Sequence, residues 1–83
     1  MVFKEKEVIE LENGKKFIVV DTLKEANTWY YYLCEVNEEE TKVQKNFRVI
    51  TTVFENGNYF IKNIKGDLLV SIEKIFKEKL QID

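Results

Sequence analysis

Apolar and polar residues alternate along most of this chain, and the alternation breaks wherever turn-forming residues cluster. The first break is Asn13–Gly14, set between the runs Val8–Glu12 and Lys15–Val20. Asn-Gly between two such runs predicts a hairpin with a two-residue type I′ turn, because both central residues of that turn need positive φ. The second run ends near Asp21–Thr22, and Lys24–Asn27 reads as a polar connection. A third strand, Thr28–Val36, is the most aromatic stretch of the chain and stops at the polar loop Asn37–Glu40. Pairing is expected to resume between Thr41 and Phe54, with Lys45–Asn46 as either a bulge or a further turn. Asn56–Gly57 repeats the first turn's chemistry and predicts Val49–Glu55 against Asn58–Ile64.

The period then changes from two to between three and four. Leu69, Ile72, Ile75, Phe76 and Leu80 fall on one side of a helix that Gly66–Asp67 opens. Asp67 is expected to cap the free amides of its first turn, and Lys74, Lys77 and Lys79 suit the negative end of the helix dipole. The predicted fold is therefore α+β. It is a curled four- or five-stranded antiparallel β-meander, up to a small barrel in closure, packed on one face by one C-terminal helix.

A two-residue first turn sets Ile9 opposite Ile18 and Leu11 opposite Lys16, with Val8 opposite Val19 and Glu10 opposite Phe17. Both faces of that hairpin then carry apolar side chains. The third strand does the same, with Tyr30, Tyr32, Cys34 and Val36 on one side and Trp29, Tyr31, Leu33 and Glu35 on the other. A single helix covers one sheet face. The second apolar set must curl into a barrel interior, meet a partner or stay exposed.

Composition narrows the functional classes. The 83 residues suffice for one core, so residues 1–83 are read as a single domain, and 45% hydrophobic with 34% charged residues is globular. A net charge of −2, with lysines and acids interleaved, lacks the basic footprint of a duplex nucleic-acid binder. Met1–Glu7 alternates charge with short apolar residues and no segment has membrane-spanning length, so the expectation is a cytoplasmic protein without membrane attachment.

Catalytic chemistry is scarce. The chain has no histidine, and Cys34, Ser71 and Arg48 are the sole residues of their types. Ser71 has no ordinary base, Cys34 lies in an apolar strand, and nothing singles out Asp21, Glu35 or Glu55 as a tuned acid. No carboxylate spacing matches a metal loop, so no catalytic residue, metal or cofactor is expected.

The motif order Glu12–Asn13–Gly14–Lys15, Tyr30–Tyr31–Tyr32–Leu33 and a closing helix Leu68–Leu80 resembles short uncharacterised proteins of low-GC Gram-positive bacteria and their phages. That resemblance implies a small accessory protein of a mobile element, and it supplies no active site to carry over. The leading expectation is a non-enzymatic protein-binding module, a phage-type inhibitor or regulator that sterically occupies a host protein surface. Trp29, Tyr31 and Leu33 would form its anchor, and Glu35 with the loop Glu38, Glu39 and Glu40 would complement a basic partner whose identity the sequence leaves open. A homodimer using the same face fits equally well. The alternative is a nucleotide or single-stranded nucleic-acid binder using an aromatic-lined sheet.

Overall fold

A computed structural model describes residues 1–81. Five strands form one antiparallel meander in the order β1 (Val8–Glu10), β2 (Lys16–Glu25), β3 (Thr28–Val36), β4 (Val43–Glu55) and β5 (Asn58–Asn63). One helix, α1 (Gly66–Leu80), follows. The sheet curls into a half-barrel with α1 on one face, as the alternation and the single amphipathic segment predict.

The first hairpin corrects the expected register. Instead of a two-residue turn, Glu12–Gly14 form a short 3₁₀ turn closed by the Leu11 amide donating to the Lys15 carbonyl at 2.8 Å. Val8 therefore faces Ile18, Ile9 faces Phe17 and Glu10 faces Lys16, one residue away from the predicted pairing. A slip of one residue moves every side chain of a strand to the opposite face. Here it gathers Ile9, Leu11, Phe17 and Val19 into one buried cluster, which the tighter turn would have split between faces. Glu12 clips the turn to β4 through Arg48 at 2.8 Å. Its carboxyl is held below the usual range, first by its own backbone amide and then by that guanidinium.

The segment predicted as a polar connection is a tight hairpin. β2 continues to Glu25, which pairs with Thr28, and Ala26 and Asn27 both take positive φ, at 49° and 63°. Ala-Asn lacks the glycine that marks such turns, so this one is set by strand pairing on both sides. Asn56–Gly57 behaves as predicted, with φ of 52° and 82° and Glu55 facing Asn58. The Lys45–Asn46 region is a bulge inside continuous β4, where the pairing shifts between Cys34 facing Phe47 and Val36 facing Val43.

A second irregularity positions α1. In β2 the register shifts between Val19 and Asp21, so Val19 packs on the far face while Val20 and Asp21 both turn toward the helix. Strict alternation from Val19 would have put the Asp21 carboxylate among the apolar side chains of the far face. Leu69, Ile72, Ile75, Phe76 and Leu80 pack against Tyr30, Tyr32 and Val49, as their spacing predicts. Tyr32 lies between two rings, stacked on Phe76 at 5.2 Å and on Phe47 at 5.3 Å. The helix start differs from expectation: Lys65 is the N-cap residue and no side chain caps the first turn. Asp67 sits inside that turn, where its charge favours the helix dipole without a capping bond.

Far from α1, Ile9, Leu11, Phe17, Val19, Tyr31, Leu33 and Ile50 form a second core. Among the described residues no other layer lies over it apart from the N-terminal segment, and the curl of the sheet gathers side chains of β1 to β4 into this one cluster. Phe3 meets Tyr31 edge-to-face at 5.2 Å, and the Val2 amide donates to the Tyr31 hydroxyl at 2.9 Å. The Lys6 amide and the Glu7 carbonyl bind the Val19 backbone, which ties this segment to β2.

Candidate functional site

The expected anchor is distributed differently. Tyr31 and Leu33 are 0% exposed in the far core, so they hold the fold together and present no area to a partner, which corrects the expected contiguous patch. The physical reason is closure: the apolar set left over by the helix is covered by the sheet's own curl. Trp29 remains half-buried at the edge of that core.

The acidic residues lie at the other end of β3. Trp29 is its second residue and the Glu38–Glu40 loop follows its last, roughly 25–30 Å away at the strand rise of ~3.3 Å per residue. Glu35 is half-buried and accepts a hydrogen bond from the Asn46 side chain at 2.7 Å. Glu38, Glu39 and Glu40 are exposed in a loop organised by Asn37, whose Oδ1 accepts the amides of Thr41 and Lys42. Asn37 also donates to Glu39, and Glu40 pairs with Lys16 at 3.2 Å. Trp29 and these acids do not form one surface.

The polar groups weighed for chemistry have structural partners or open solvent. Asp21 is buried against Lys79, and Glu55 is exposed. The Cys34 thiol is buried 3.1 Å from the Gln44 carbonyl, and burial followed by the Glu35 charge pushes its pKa up, away from a reactive thiolate. Among the described residues no three His, Cys, Asp or Glu side chains converge as a metal site, and no helix is long and apolar enough to cross a membrane.

The exposed apolar surface is concentrated in the β4–β5 hairpin. β3 accompanies β4 only as far as Tyr30 opposite Thr51, so Thr52–Glu55 pair with β5 alone and project as a two-stranded ribbon. Phe54 and Tyr59 face each other on the side away from α1, with rings 4.9 Å apart, and are 61% and 59% exposed. Phe60 lies on the opposite side at 51% and Ile61 beside Tyr59 at 42%. A two-stranded ribbon is marginal in water, and aromatic side chains on both of its faces gain most from a covering surface.

Grooves flank the ribbon on both faces. One, of about 240 Å³, is lined by Met1, Trp29, Tyr31, Phe54 and Tyr59 among others. The other, of about 370 Å³, lies on the helix side between Tyr30, Val53, Lys62, Lys65 and Leu68. Of the expected anchor, Trp29 alone has exposed area beside the ribbon, while Tyr31 forms the buried floor of the groove. Phe54, Tyr59, Phe60 and Ile61 were missed because sequence alone shows Tyr59–Ile61 as an ordinary strand. Its signal was available in principle: three consecutive large apolar residues in the last strand before the helix exceed what one buried face requires. Comparisons with known proteins bring no relative to bear on this surface: no family model, curated protein or solved structure matches the chain.

Proposed function

We propose that this protein is a non-enzymatic protein-binding module that acts by occupying a surface of another protein, in the manner of a phage-type inhibitor or regulator. The observation that carries the reading is the projecting β4–β5 ribbon, whose Phe54, Tyr59, Phe60 and Ile61 expose 42–61% of their area. Aromatic side chains with large exposed area and few rotatable bonds are the residues that dominate binding hot spots. The groove beside Trp29 gives an incoming apolar side chain a socket next to that ridge. The acidic loop, at the far end of β3, lies outside this contact.

In-cell cross-linking followed by mass spectrometry tests the proposal. Cross-links from residues of the ribbon to a second protein are expected, and they are lost in Phe54→Ser/Tyr59→Ser while the melting temperature stays within a few degrees. Cross-links that persist in that variant, or that map only to the Glu38–Glu40 end, overturn it.

The aromatic lining of the Trp29 groove favours one second reading, a base stacked between Trp29 and the Phe54–Tyr59 pair. Among the residues that line this groove there is no Lys or Arg to meet a phosphate. Titrating Trp29 fluorescence with nucleotides and oligonucleotides decides it: salt-sensitive quenching supports a base binder, and an unchanged spectrum removes it.

A further inference from the structure

The open edge of β5 gives the binding surface a specific occupant. We infer that two copies of this chain pair through β5, antiparallel across a two-fold axis, joining their sheets into one continuous sheet. This rests on the reading of the ribbon as a protein-binding surface and names the partner as a second copy.

The turn fixes which backbone groups of β5 point outward. In a two-residue hairpin the closing pair, here Glu55 and Asn58, is hydrogen-bonded, and bonded pairs recur at every second residue. Asn58, Phe60 and Lys62 therefore direct their amides and carbonyls toward β4, and Tyr59, Ile61 and Asn63 direct theirs outward. β5 is the last strand of the sheet and, among the described residues, has no strand neighbour on that side. Natural edge strands are commonly blunted by proline, bulges or several charges, whereas β5 contains Lys62 as its single charge, no proline and no shift in register with β4.

Symmetry then selects a register. An antiparallel self-pair must place outward-facing residues opposite one another, so its axis passes through Tyr59, Phe60, Ile61 or Lys62. An axis at Tyr59 pairs about half of β5 and sets Phe60 against Asn58. An axis at Lys62 confronts two ammonium groups. An axis at Ile61 sets Phe60 against Lys62. An axis at Phe60 sets Phe60 against Phe60 and Tyr59 against Ile61, matching every apolar residue with an apolar one, and leaves Lys62 against Asn58. Phe60 then occupies the non-hydrogen-bonded position, where facing side chains are closest and aromatic pairs interact best. The net charge of −2 per copy opposes this association little.

The pairing buries the outward backbone groups of Tyr59, Ile61 and Asn63 and the facing flanks of Tyr59, Phe60 and Ile61, which are 42–59% exposed in one copy. Phe54 lies one strand further in, on β4 opposite Tyr59, and keeps its outer face. Such an edge contact is smaller than the ~800 Å² per copy of a standard interface, so the dimer is expected to be reversible and concentration-dependent.

Sedimentation velocity of the purified full chain over a dilution series is the primary measurement. The expected result is a dimer at high concentration that dissociates on dilution, and a monomer at all the same concentrations for Phe60→Lys with an unchanged circular dichroism spectrum. Phe60→Cys, with buried Cys34 left in place, is expected to form a disulfide-linked dimer at least tenfold faster than Val70→Cys on the exposed face of α1. A wild-type chain that is monomeric throughout, a Phe60→Lys chain that still dimerises, or equal cross-linking rates for the two cysteine variants overturns the inference. The two readings fail separately. A monomer whose cross-links to another protein still depend on Phe54 and Tyr59 removes the second copy and keeps the binding module. A dimer with no such heterologous cross-links keeps the second copy and removes the inhibitor reading.

Discussion

Lys79, in the last turn of α1, places its ammonium 3.1 Å from Oδ2 of Asp21 at the β2 bulge, joining residues 58 positions apart. The same ammonium donates to the Thr22 carbonyl at 2.8 Å, and the Thr22 amide donates to Asp21 Oδ1 at 2.9 Å. Helix and bulge are thereby coupled: the bulge turns the buried carboxylate toward α1, and α1 supplies its cation, with Oδ1 accepting both hydrogen bonds and Oδ2 held by the ion pair alone. Lys79→Met is expected to destabilise the fold by about 1–3 kcal/mol, because it strands a buried carboxylate, with partial relief from water at the exposed lysine position. Asp21→Asn/Lys79→Met should recover part of that loss. Urea unfolding of Asp21→Asn, Lys79→Met and the double variant measures it, and an additive result would show the pair to be energetically uncoupled.

Alkaline pH acts on the two buried acids of the helix-facing side. Burial raises the Cys34 pKa above its ordinary value of about 9, with the Glu35 charge adding to it. Burial likewise raises that of Tyr32 above about 10, followed by the charges of Glu73 and Cys34. Both groups lose a proton more easily in the unfolded chain, so stability is fully present below pH ~9 and falls as pH rises through the folded-state values. Urea midpoints between pH 7 and 11 should show this fall, and Cys34→Ala should remove its earlier part. The same burial predicts slow alkylation of Cys34 in the native protein at pH 8.

The Tyr31 hydroxyl holds the N-terminal segment through the Val2 amide. Tyr31→Phe keeps the buried ring and deletes that bond, at a cost of about 0.5–1.5 kcal/mol. Its signature is local: amide exchange should accelerate at Val2 with little change in β3. Because Met1 and Val2 line the Trp29 groove, the same variant should weaken any ligand or partner contact made there.

Core and surface aromatic or aliphatic residues separate by their energetics. Leu33→Ala, in the closed far core, should cost about 2–5 kcal/mol. Phe54→Ser and Tyr59→Ser, on the ribbon, should each cost no more than about 1 kcal/mol, since most of each ring already meets water. They should also reduce binding of a hydrophobic dye. Equal destabilisation by all three substitutions would mean that the ribbon is part of the core and not a docking surface.

Local chemistry made much of the fold legible. The antiparallel direction of the strands, the Asn56–Gly57 turn and the apolar stripe of α1 follow from side-chain period and from residues that tolerate positive φ, and the strand count, four or five from the sequence, is five. The Ala26–Asn27 turn was illegible because Ala-Asn carries no strong turn signal and yields to the pairing of Glu25 with Thr28. The first hairpin misled for a related reason: Asn-Gly permits a tight turn but does not require one, and burying Phe17 beside Ile9 decides the register.

The candidate site was legible only in part. Its chemical character, aromatic and poor in catalytic groups, belongs to the sequence, and so does the division of β3 into two alternating sets. Which set remains outside depends on curvature and strand order, which no local pattern encodes. Curling sealed Tyr31 and Leu33, and the outer position of β5 left Tyr59, Phe60 and Ile61 uncovered. Period and turn residues act within a few positions of one another, so the sequence by itself determined the elements and their apolar faces. Burial is a property of distant segments meeting in space, and only the tertiary structure decided which of those faces the protein keeps for itself.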